Sequence, residues 1–177
     1  MSPKAWGPIK QLAYVVDDID AAIARWIALH GVGPWTVYRN TAIKGRCRDA
    51  ETTVRMHVGL SYQNDLQIEL IQPLSDTPSP YRDAQGRALL GMHHIAWHAD
   101  DLDAAVAQAK ARGLAAVFEA STGLVRVAYF EMPGAPGPLY ELIEAGTVVR
   151  EGFDSGLRAS RDWDGVSTPV TSIDLGG

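Results

Sequence analysis

The chain contains one sequence pattern twice, and this internal duplication limits the folds that it can adopt. Residues 9–24 read IKQLAYVVDDIDAAIA, and residues 92–107 read MHHIAWHADDLDAAVA, at a fixed offset of 83. Further along, QIELI at 67–71 is matched by YELI at 140–143. A period of about eighty residues exceeds the roughly 20–50 residues of solenoid repeats. The duplication therefore predicts two fused copies of one small module, related by a pseudo-twofold axis, with a site where the copies meet.

Each copy is predicted to form a strand, a helix and three more strands. The β-branched and aromatic segment 9–16 leads into Asp17 and Asp18, which suit an N-cap, and apolar residues then recur at helical spacing up to Gly31. The second copy repeats this order from 93–98 through a helix that ends at Gly113. Further strands are predicted at 35–40, 52–60 and 66–72, and at 115–120, 124–131 and 139–145. The pattern indicates an α+β fold of two tandem βαβββ modules.

The boundaries of these modules follow from composition. We expect modules at 8–74 and 91–146 within one structural domain, joined by a linker at 75–90 that is rich in Pro, Ser and Asp. Residues 147–177 are rich in Gly, Asp and Ser and show no clear periodicity. We predict that they form an arm on the surface or on a partner subunit.

Charge and cysteine content argue against several classes of partner. The net charge is −5 and the basic residues are scattered, which is not typical of a nucleic-acid-binding protein. Cys47 is the only cysteine, so an internal disulfide is excluded. No signal-peptide pattern and no apolar run of about 18 residues is visible, so we expect no membrane association and a cytoplasmic protein.

Four polar residues occupy equivalent positions in the two copies. Gln11 matches His94 in the first strand of each copy, and Glu69 matches Glu141 in the last strand. If a pseudo-twofold axis relates the copies, the four can converge inside one curved sheet. Such a mixed nitrogen and oxygen set suits one divalent cation, for example Zn, Ni, Co or Mn, with Fe(II) as the less favoured choice. Because neighbouring strand residues point to opposite faces, we expect only one ring of the His93–His94 pair to serve this site.

The segments IKQLAYVVDDIDAAIARW, GMHHIAWHADDLDAA and PLYELIEA resemble the vicinal oxygen chelate superfamily, which includes glyoxalases, bleomycin resistance proteins and dioxygenases. They are most similar to its glyoxalase and methylmalonyl-CoA epimerase-like branch. The resemblance implies a cup-shaped mixed sheet with helices on the outside, formed around a divalent metal. It places the metal ligands at Gln11, Glu69, His94 and Glu141.

The resemblance also implies a function. We expect a metal-dependent isomerase, epimerase or lyase that acts on a proton alpha to a carbonyl of a small organic substrate, through an enolate that the metal stabilises. Glu141, and after it Glu69, are the expected proton-transfer residues. A ring-cleaving dioxygenase and a non-catalytic resistance protein that binds small molecules are the alternatives.

Three further residues are expected to bind substrate. By strand parity Arg55 shares a face with His57, and His98 shares one with His94, so these side chains could line the cup.

Exposed strand edges favour association, so we predict a homodimer in which the tail packs on the partner or across the outer face, anchored by Trp163.

Overall fold

The computed structural model describes residues 6–176, and in it each copy of the repeat forms a βαβββ module. The first module consists of β1 (Gln11–Val15), α1 (Ile19–His30), β2 (Trp35–Cys47), β3 (Ala50–Gln63) and β4 (Leu66–Pro73). The second consists of β5 (Gly91–Ala99), α2 (Leu102–Ala111), β6 (Ala115–Ser121), β7 (Arg126–Glu131) and β8 (Leu139–Glu144). A helix, α3 (Thr147–Asp162), and a strand, β9 (Val170–Asp174), follow. The predicted α+β fold is confirmed.

The two module helices begin in the same way because the sequence that starts them is duplicated. The side chain of Asp18 accepts a hydrogen bond from the backbone N–H of Ala21 at 2.9 Å, and Asp101 accepts one from Ala104 at 2.9 Å. Each aspartate thereby satisfies an N–H group that has no partner within the helix. Between residues 6 and 176, no helix combines the length and the apolar character that a membrane span needs.

The sheet closes on itself. Its strand order is β3-β4-β1-β5-β8-β7-β6-β2-β9, and β2 also pairs with β3, so the first eight strands form a ring. The last four residues of β2 pair with β6, where a Cβ atom at Gly45 would overlap the backbone oxygen of Glu119. The two copies meet in the middle of the sheet, where β1 pairs antiparallel with β5. The cup predicted from sequence is therefore a closed barrel, and its interior lies between the modules.

Apolar side chains within residues 6–176 form three clusters that follow from this arrangement. On the outside, α1 packs Ile19 and Ile23 against the face of the sheet that carries Trp35 and Leu70. The second helix packs in the same way on the outer face of the second module. The third cluster fills the barrel interior, and its buried members are Ala13, Val15, Ile43, Val54, Met56, Val58, Ile71, Tyr81, Ala96, Val117, Phe118, Ala120, Val127, Tyr129 and Ile143.

The predicted C-terminal arm consists of a helix and a strand, and both contact the protein's own first module. Phe153 of α3 is buried against the Tyr62 ring, with centroids 5.3 Å apart, and β9 pairs parallel with the first half of β2. A Cβ atom at Gly33 would lie 2.5 Å from the Trp163 ring, so Trp163 packs on the protein's own first module. Val149, Phe153 and Leu157 recur at helical spacing on the less exposed face of α3, so the sequence contains a helical pattern that the prediction did not include.

Candidate metal centre

The four polar residues singled out in the duplicated strands come together inside the barrel. They lie on the four adjacent central strands, with Glu69 on β4, Gln11 on β1, His94 on β5 and Glu141 on β8. In the strand register, Ala13 is opposite both Glu69 and His94, and Ala96 is opposite both Gln11 and Glu141. These two alanines are equivalent in the repeat and are fully buried. Their small side chains leave the space into which the four larger ones extend.

The side chains of Gln11, Glu69 and Glu141 converge on the Nε2 atom of His94. This nitrogen lies 2.9 Å from Oε2 of Glu141, 3.1 Å from Oε1 of Gln11 and 3.2 Å from Oε2 of Glu69. One ring N–H group cannot donate well to three oxygens at once. Three oxygen atoms and one nitrogen that converge in this way are the donor set of a cation site.

Burial of the two carboxylates supports the same interpretation. The Oε2 atoms of Glu69 and Glu141 are both buried, and beyond their short contacts with Nε2 of His94 neither has a hydrogen-bond partner among the residues that the structure describes. A buried carboxylate oxygen without a partner destabilises the fold unless a positive charge compensates it. The candidate ligand atoms of Glu69, His94 and Glu141 all lie within 4.8 Å of one another. The residues present therefore fit a divalent cation, with the side-chain oxygen of Gln11 as a fourth ligand atom.

The pKa shifts in the cluster reflect competition between burial and charge. Burial lowers the pKa of His94, but the charges and hydrogen bonds of Glu141 and Glu69 outweigh it and raise this pKa to about 9. Burial raises the pKa of Glu69, and His94 offsets part of that rise. The cluster thus favours positive charge between its carboxylates, whether from a proton on His94 or from a metal ion.

A chain of amides holds Gln11 in place. Its Nε2 donates to Oε1 of Gln67 at 2.7 Å, and Nε2 of Gln67 donates to the Tyr62 hydroxyl at 2.5 Å. With its nitrogen used in this way, the Gln11 side chain presents its oxygen to the site. Sequence reasoning missed Gln67 and Tyr62, although Gln67 lies two positions from Glu69 and so shares its face of β4.

Both histidines of the His93–His94 pair point into the interior, so the expectation that they lie on opposite faces is wrong, although only His94 belongs to the metal cluster. The register between β1 and β5 shifts, so that Ala13 pairs with His94 and Tyr14 pairs with Met92. His93 is the extra residue of a β-bulge, and a bulge re-aims the side chains beside it. The Nδ1 atoms of the two rings lie 2.8 Å apart, and Nε2 of His93 lies 2.7 Å from the Pro80 carbonyl oxygen.

The linker between the modules contributes a side chain to the interior, a role that the sequence did not indicate. Tyr81 is buried, and its hydroxyl lies 3.1 Å from the Tyr129 hydroxyl of β7. The Tyr129 ring stands edge-on to the His94 ring, with centroids 4.9 Å apart. Burial raises the pKa of both tyrosines well above the usual value, so both hydroxyls stay protonated at neutral pH.

Two of the three expected substrate-binding residues lie away from this interior. Val54 and Met56 of β3 belong to the interior cluster, so Arg55 and His57 lie on the opposite face. The Arg55 side chain is exposed, and Nδ1 of His57 accepts a hydrogen bond from the Asn40 backbone. The prediction that the Arg55 and His57 face lines the cup is therefore wrong.

His98 lies on the interior face of β5 but at one end of the barrel. Its ring centroid is 5.1 Å from that of Phe153 in α3, so the C-terminal helix lies over it. Burial lowers the pKa of His98, and the neighbouring Lys10 lowers it further. The ring of His98 is thus neutral at pH 7, between the cluster and the helix.

A surface pocket reaches the interior from the other end. It has a volume of about 400 Å³, and His93, Pro80 and Ser79 contribute to its wall. Part of the wall is apolar, from side chains such as Leu89 and Leu139. A small organic molecule could occupy this space one side chain away from His94.

Comparison with known proteins agrees with this fold. Residues 10–144 match the family model of the Glyoxalase/Bleomycin resistance protein/Dioxygenase superfamily, so the chain belongs to that superfamily, as its sequence motifs predicted. A search of curated protein sequences found no match.

Solved structures with the same fold include two epimerases. Methylmalonyl-CoA epimerase from Mycobacterium tuberculosis aligns with 19% identity over 85% of this chain and 96% of that chain, at a TM-score of 0.55. A selenomethionine form of a methylmalonyl-CoA epimerase aligns with 22% identity over 82% of this chain and 100% of that chain, at 0.53. A hypothetical protein from Bacillus halodurans aligns with 18% identity over 78% and 94% of the two chains, at 0.53. Matches at these identities show the shared fold.

Proposed function

We propose that the protein is a metal-dependent isomerase, epimerase or lyase that acts on a proton alpha to a carbonyl of a small organic substrate. The observation that supports this most is the convergence of two buried carboxylate oxygens on Nε2 of His94, with no other partner for either oxygen among the described residues. Gln11, Glu69, His94 and Glu141 would hold the ion, and Zn, Ni, Co or Mn suits their donor atoms better than Fe. A divalent ion bound there would act as a Lewis acid that makes the alpha proton of a carbonyl compound more acidic.

The two glutamates are the proposed proton-transfer groups. An epimerase must remove a proton from one face of a carbon and return one to the other, so two carboxylates in one cavity suit it. Glu141 is the more deeply buried of the two and lies closer to His94, at 2.9 Å. In the strand register it lies opposite Ala96, inside the barrel.

The alpha-proton hypothesis can be tested before any product is known. Protein supplied with Zn²⁺, Ni²⁺, Co²⁺ or Mn²⁺ is incubated in D₂O with a panel of α-hydroxy acids, α-keto acids and 2-substituted thioesters, and proton NMR follows the alpha-proton signal. We expect the protein to accelerate deuterium exchange in at least one compound. Glu141→Gln and Glu69→Gln should each slow this exchange by about 10²–10⁴-fold, the usual contribution of a general base.

Glu144→Gln is the matched control for these variants. Glu144 lies on the same strand as Glu141, is half-buried and pairs with Arg126 at 3.1 Å, outside the cluster. The Glu144→Gln variant should accelerate deuterium exchange of the alpha proton as much as the wild type does. Equal rates for Glu141→Gln, Glu69→Gln and the wild type would contradict the proposal, as would a protein that binds none of the four metals.

Metal and oxygen analysis separates this proposal from the two alternatives. A ring-cleaving dioxygenase favours two histidines and one carboxylate around Fe(II). Here both nitrogens of the second histidine, His93, already face hydrogen-bond partners. Iron in protein purified without chelator, together with oxygen uptake, would favour the dioxygenase. Tight binding of small apolar molecules by metal-free protein would favour a resistance protein.

We further propose that the protein forms a homodimer. All five residues of β9 are exposed, and this strand is the last in the sheet order, so its outer edge is available for pairing. Light scattering should give the mass of a dimer for the full chain. A monomer at micromolar concentration would contradict the proposal.

A further inference from the structure

We propose that His93 is a positioning residue that fixes the tautomer of His94, so that the Nε2 lone pair of His94 faces the metal position. This inference rests on the metal site of the proposed function. It is carried by a line of three hydrogen-bonding groups, which runs from the Pro80 carbonyl through His93 to His94. The β-bulge at His93 creates this line by turning two consecutive rings to the same side.

The first step is the proton on Nε2 of His93. This nitrogen lies 2.7 Å from the carbonyl oxygen of Pro80. A carbonyl oxygen can only accept a hydrogen bond, so Nε2 of His93 must be the donor and must have the hydrogen. The ring is held in this orientation by Tyr81 and Tyr129, whose centroids lie 5.0 and 6.2 Å from its own.

The second step is the direction of the bond between the two rings. In a neutral histidine only one ring nitrogen has a hydrogen, so Nδ1 of His93 has a lone pair. It lies 2.8 Å from Nδ1 of His94, which must therefore donate. The opposite direction would require a doubly protonated His93, which is a cation among tyrosine rings at a position that is only 5% exposed.

The third step gives the consequence for the metal site. With its hydrogen on Nδ1, a neutral His94 ring has a lone pair on Nε2, and this is the atom that Gln11, Glu69 and Glu141 surround. Without His93, the two carboxylates would favour the other tautomer, whose Nε2–H would donate to Glu141 and block the metal. His93 thus opposes the arrangement that the carboxylates would otherwise select.

Two variants at position 93 separate hydrogen bonding from packing. His93→Leu removes the acceptor, whereas His93→Asn keeps a side-chain oxygen that can accept from Nδ1 of His94. Zn²⁺ affinity is measured by competition with a chromophoric chelator, and circular dichroism checks that each variant folds. We expect His93→Leu to weaken Zn²⁺ binding by about 10–100-fold, the usual effect of losing the partner of a metal-ligating histidine, and His93→Asn to recover most of the loss. His30→Leu, which removes an exposed histidine of α1, should bind Zn²⁺ like the wild type.

Nitrogen NMR of wild-type protein with ¹⁵N-labelled histidine tests the inference without a variant. Metal-free protein, at a pH where both rings are neutral, should show His93 with its hydrogen on Nε2 and His94 with its hydrogen on Nδ1. Zn²⁺ should change the Nε2 signal of His94 and leave both hydrogens in place. A hydrogen on Nε2 of neutral His94, or equal affinities of His93→Leu and the wild type, would overturn the inference. Absence of Zn²⁺ binding by the wild type would refute the metal site, and the metal-free spectra would still decide the role of His93.

Discussion

Two glycines in α3 offer a matched test of how the C-terminal helix packs on the barrel. A Cβ atom at Gly156 would overlap the Tyr62 ring and lie 2.7 Å from its hydroxyl oxygen, whereas one at Gly152 would meet nothing within 4 Å. Both residues are inside the same helix, so changing either to alanine gains about 0.8–1.0 kcal/mol of helix propensity. The Gly156→Ala change also forces the Tyr62 ring or the helix to move, and overpacking of this kind costs about 1–3 kcal/mol.

The difference between the two variants therefore isolates the contact with Tyr62. We expect Gly152→Ala to be more stable than the wild type, and Gly156→Ala to be less stable than Gly152→Ala by about 1–3 kcal/mol in urea unfolding. For a chain of 177 residues each kcal/mol shifts the midpoint of thermal unfolding by about 2–4 °C. Thermal unfolding can then resolve the pair.

Hydrogen exchange adds a local measurement, because the helix could detach instead of straining the barrel. In that case amide protection falls across 147–162 in Gly156→Ala and stays high in Gly152→Ala. If both variants gain the same stability and keep the same protection, α3 does not pack on Tyr62 in solution. In that case α3 would also not hold Tyr62 in place, and Tyr62 is the last residue of the hydrogen-bonded chain from Gln11 through Gln67.

Four other predictions concern the helix caps, the cluster and the bound metal. Asp18→Ala and Asp101→Ala should each lower the free energy of unfolding by about 0.5–2 kcal/mol, and additively, since each removes one N-cap in a different module; a urea series on the single and double variants measures this. In chelator-treated protein, the pKa of His94 is about 9 in the folded state, against an ordinary value of 6.5. Protonated His94 therefore stabilises the fold fully below about pH 6.5, and this stabilisation is lost as the pH rises to about 9. Urea midpoints should show the loss in the wild type and not in His94→Gln. Tyr62→Phe leaves the Gln67 side-chain nitrogen without its acceptor in a buried place and should cost about 1–3 kcal/mol in the same assay. A bound divalent metal at about 100 times its dissociation constant should add about 2.7 kcal/mol to the free energy of unfolding, and a chelator should remove it; an unchanged midpoint would contradict the metal site.

The sequence predicted the modules and the convergence of the four polar residues because both depend on simple periodicities. Asp18 and Asp101 mark helix starts at equivalent positions, and the helices begin there. Strand alternation combined with the offset of 83 was enough to place Gln11 and His94 on the same face.

Features that depend on irregular backbone could not be predicted in this way. The bulge that turns His93 inward shifts the register by one residue, and no local residue preference marks it. Arg55 and His57 were misplaced because parity says which residues share a face but not which face is inside; the burial of Val54 and Met56 decides that. Tyr81 entered the interior from a linker, where no periodicity constrains a side chain. The helix α3 was missed, although Val149, Phe153 and Leu157 recur at helical spacing, because its two glycines have a low helix propensity.

The closure of the barrel also has a consequence for the kinetics of folding. The ring is completed by pairs that are distant in the chain, such as Lys44 with Ser121, so the mean sequence separation of contacts is high and folding should be slow. The polar cluster takes two residues from each half, and neither half can assemble it alone. A cation that binds only the closed ring therefore interacts with the native state and not with the earlier, open chain. Such a cation should slow unfolding and leave the rate of folding nearly unchanged.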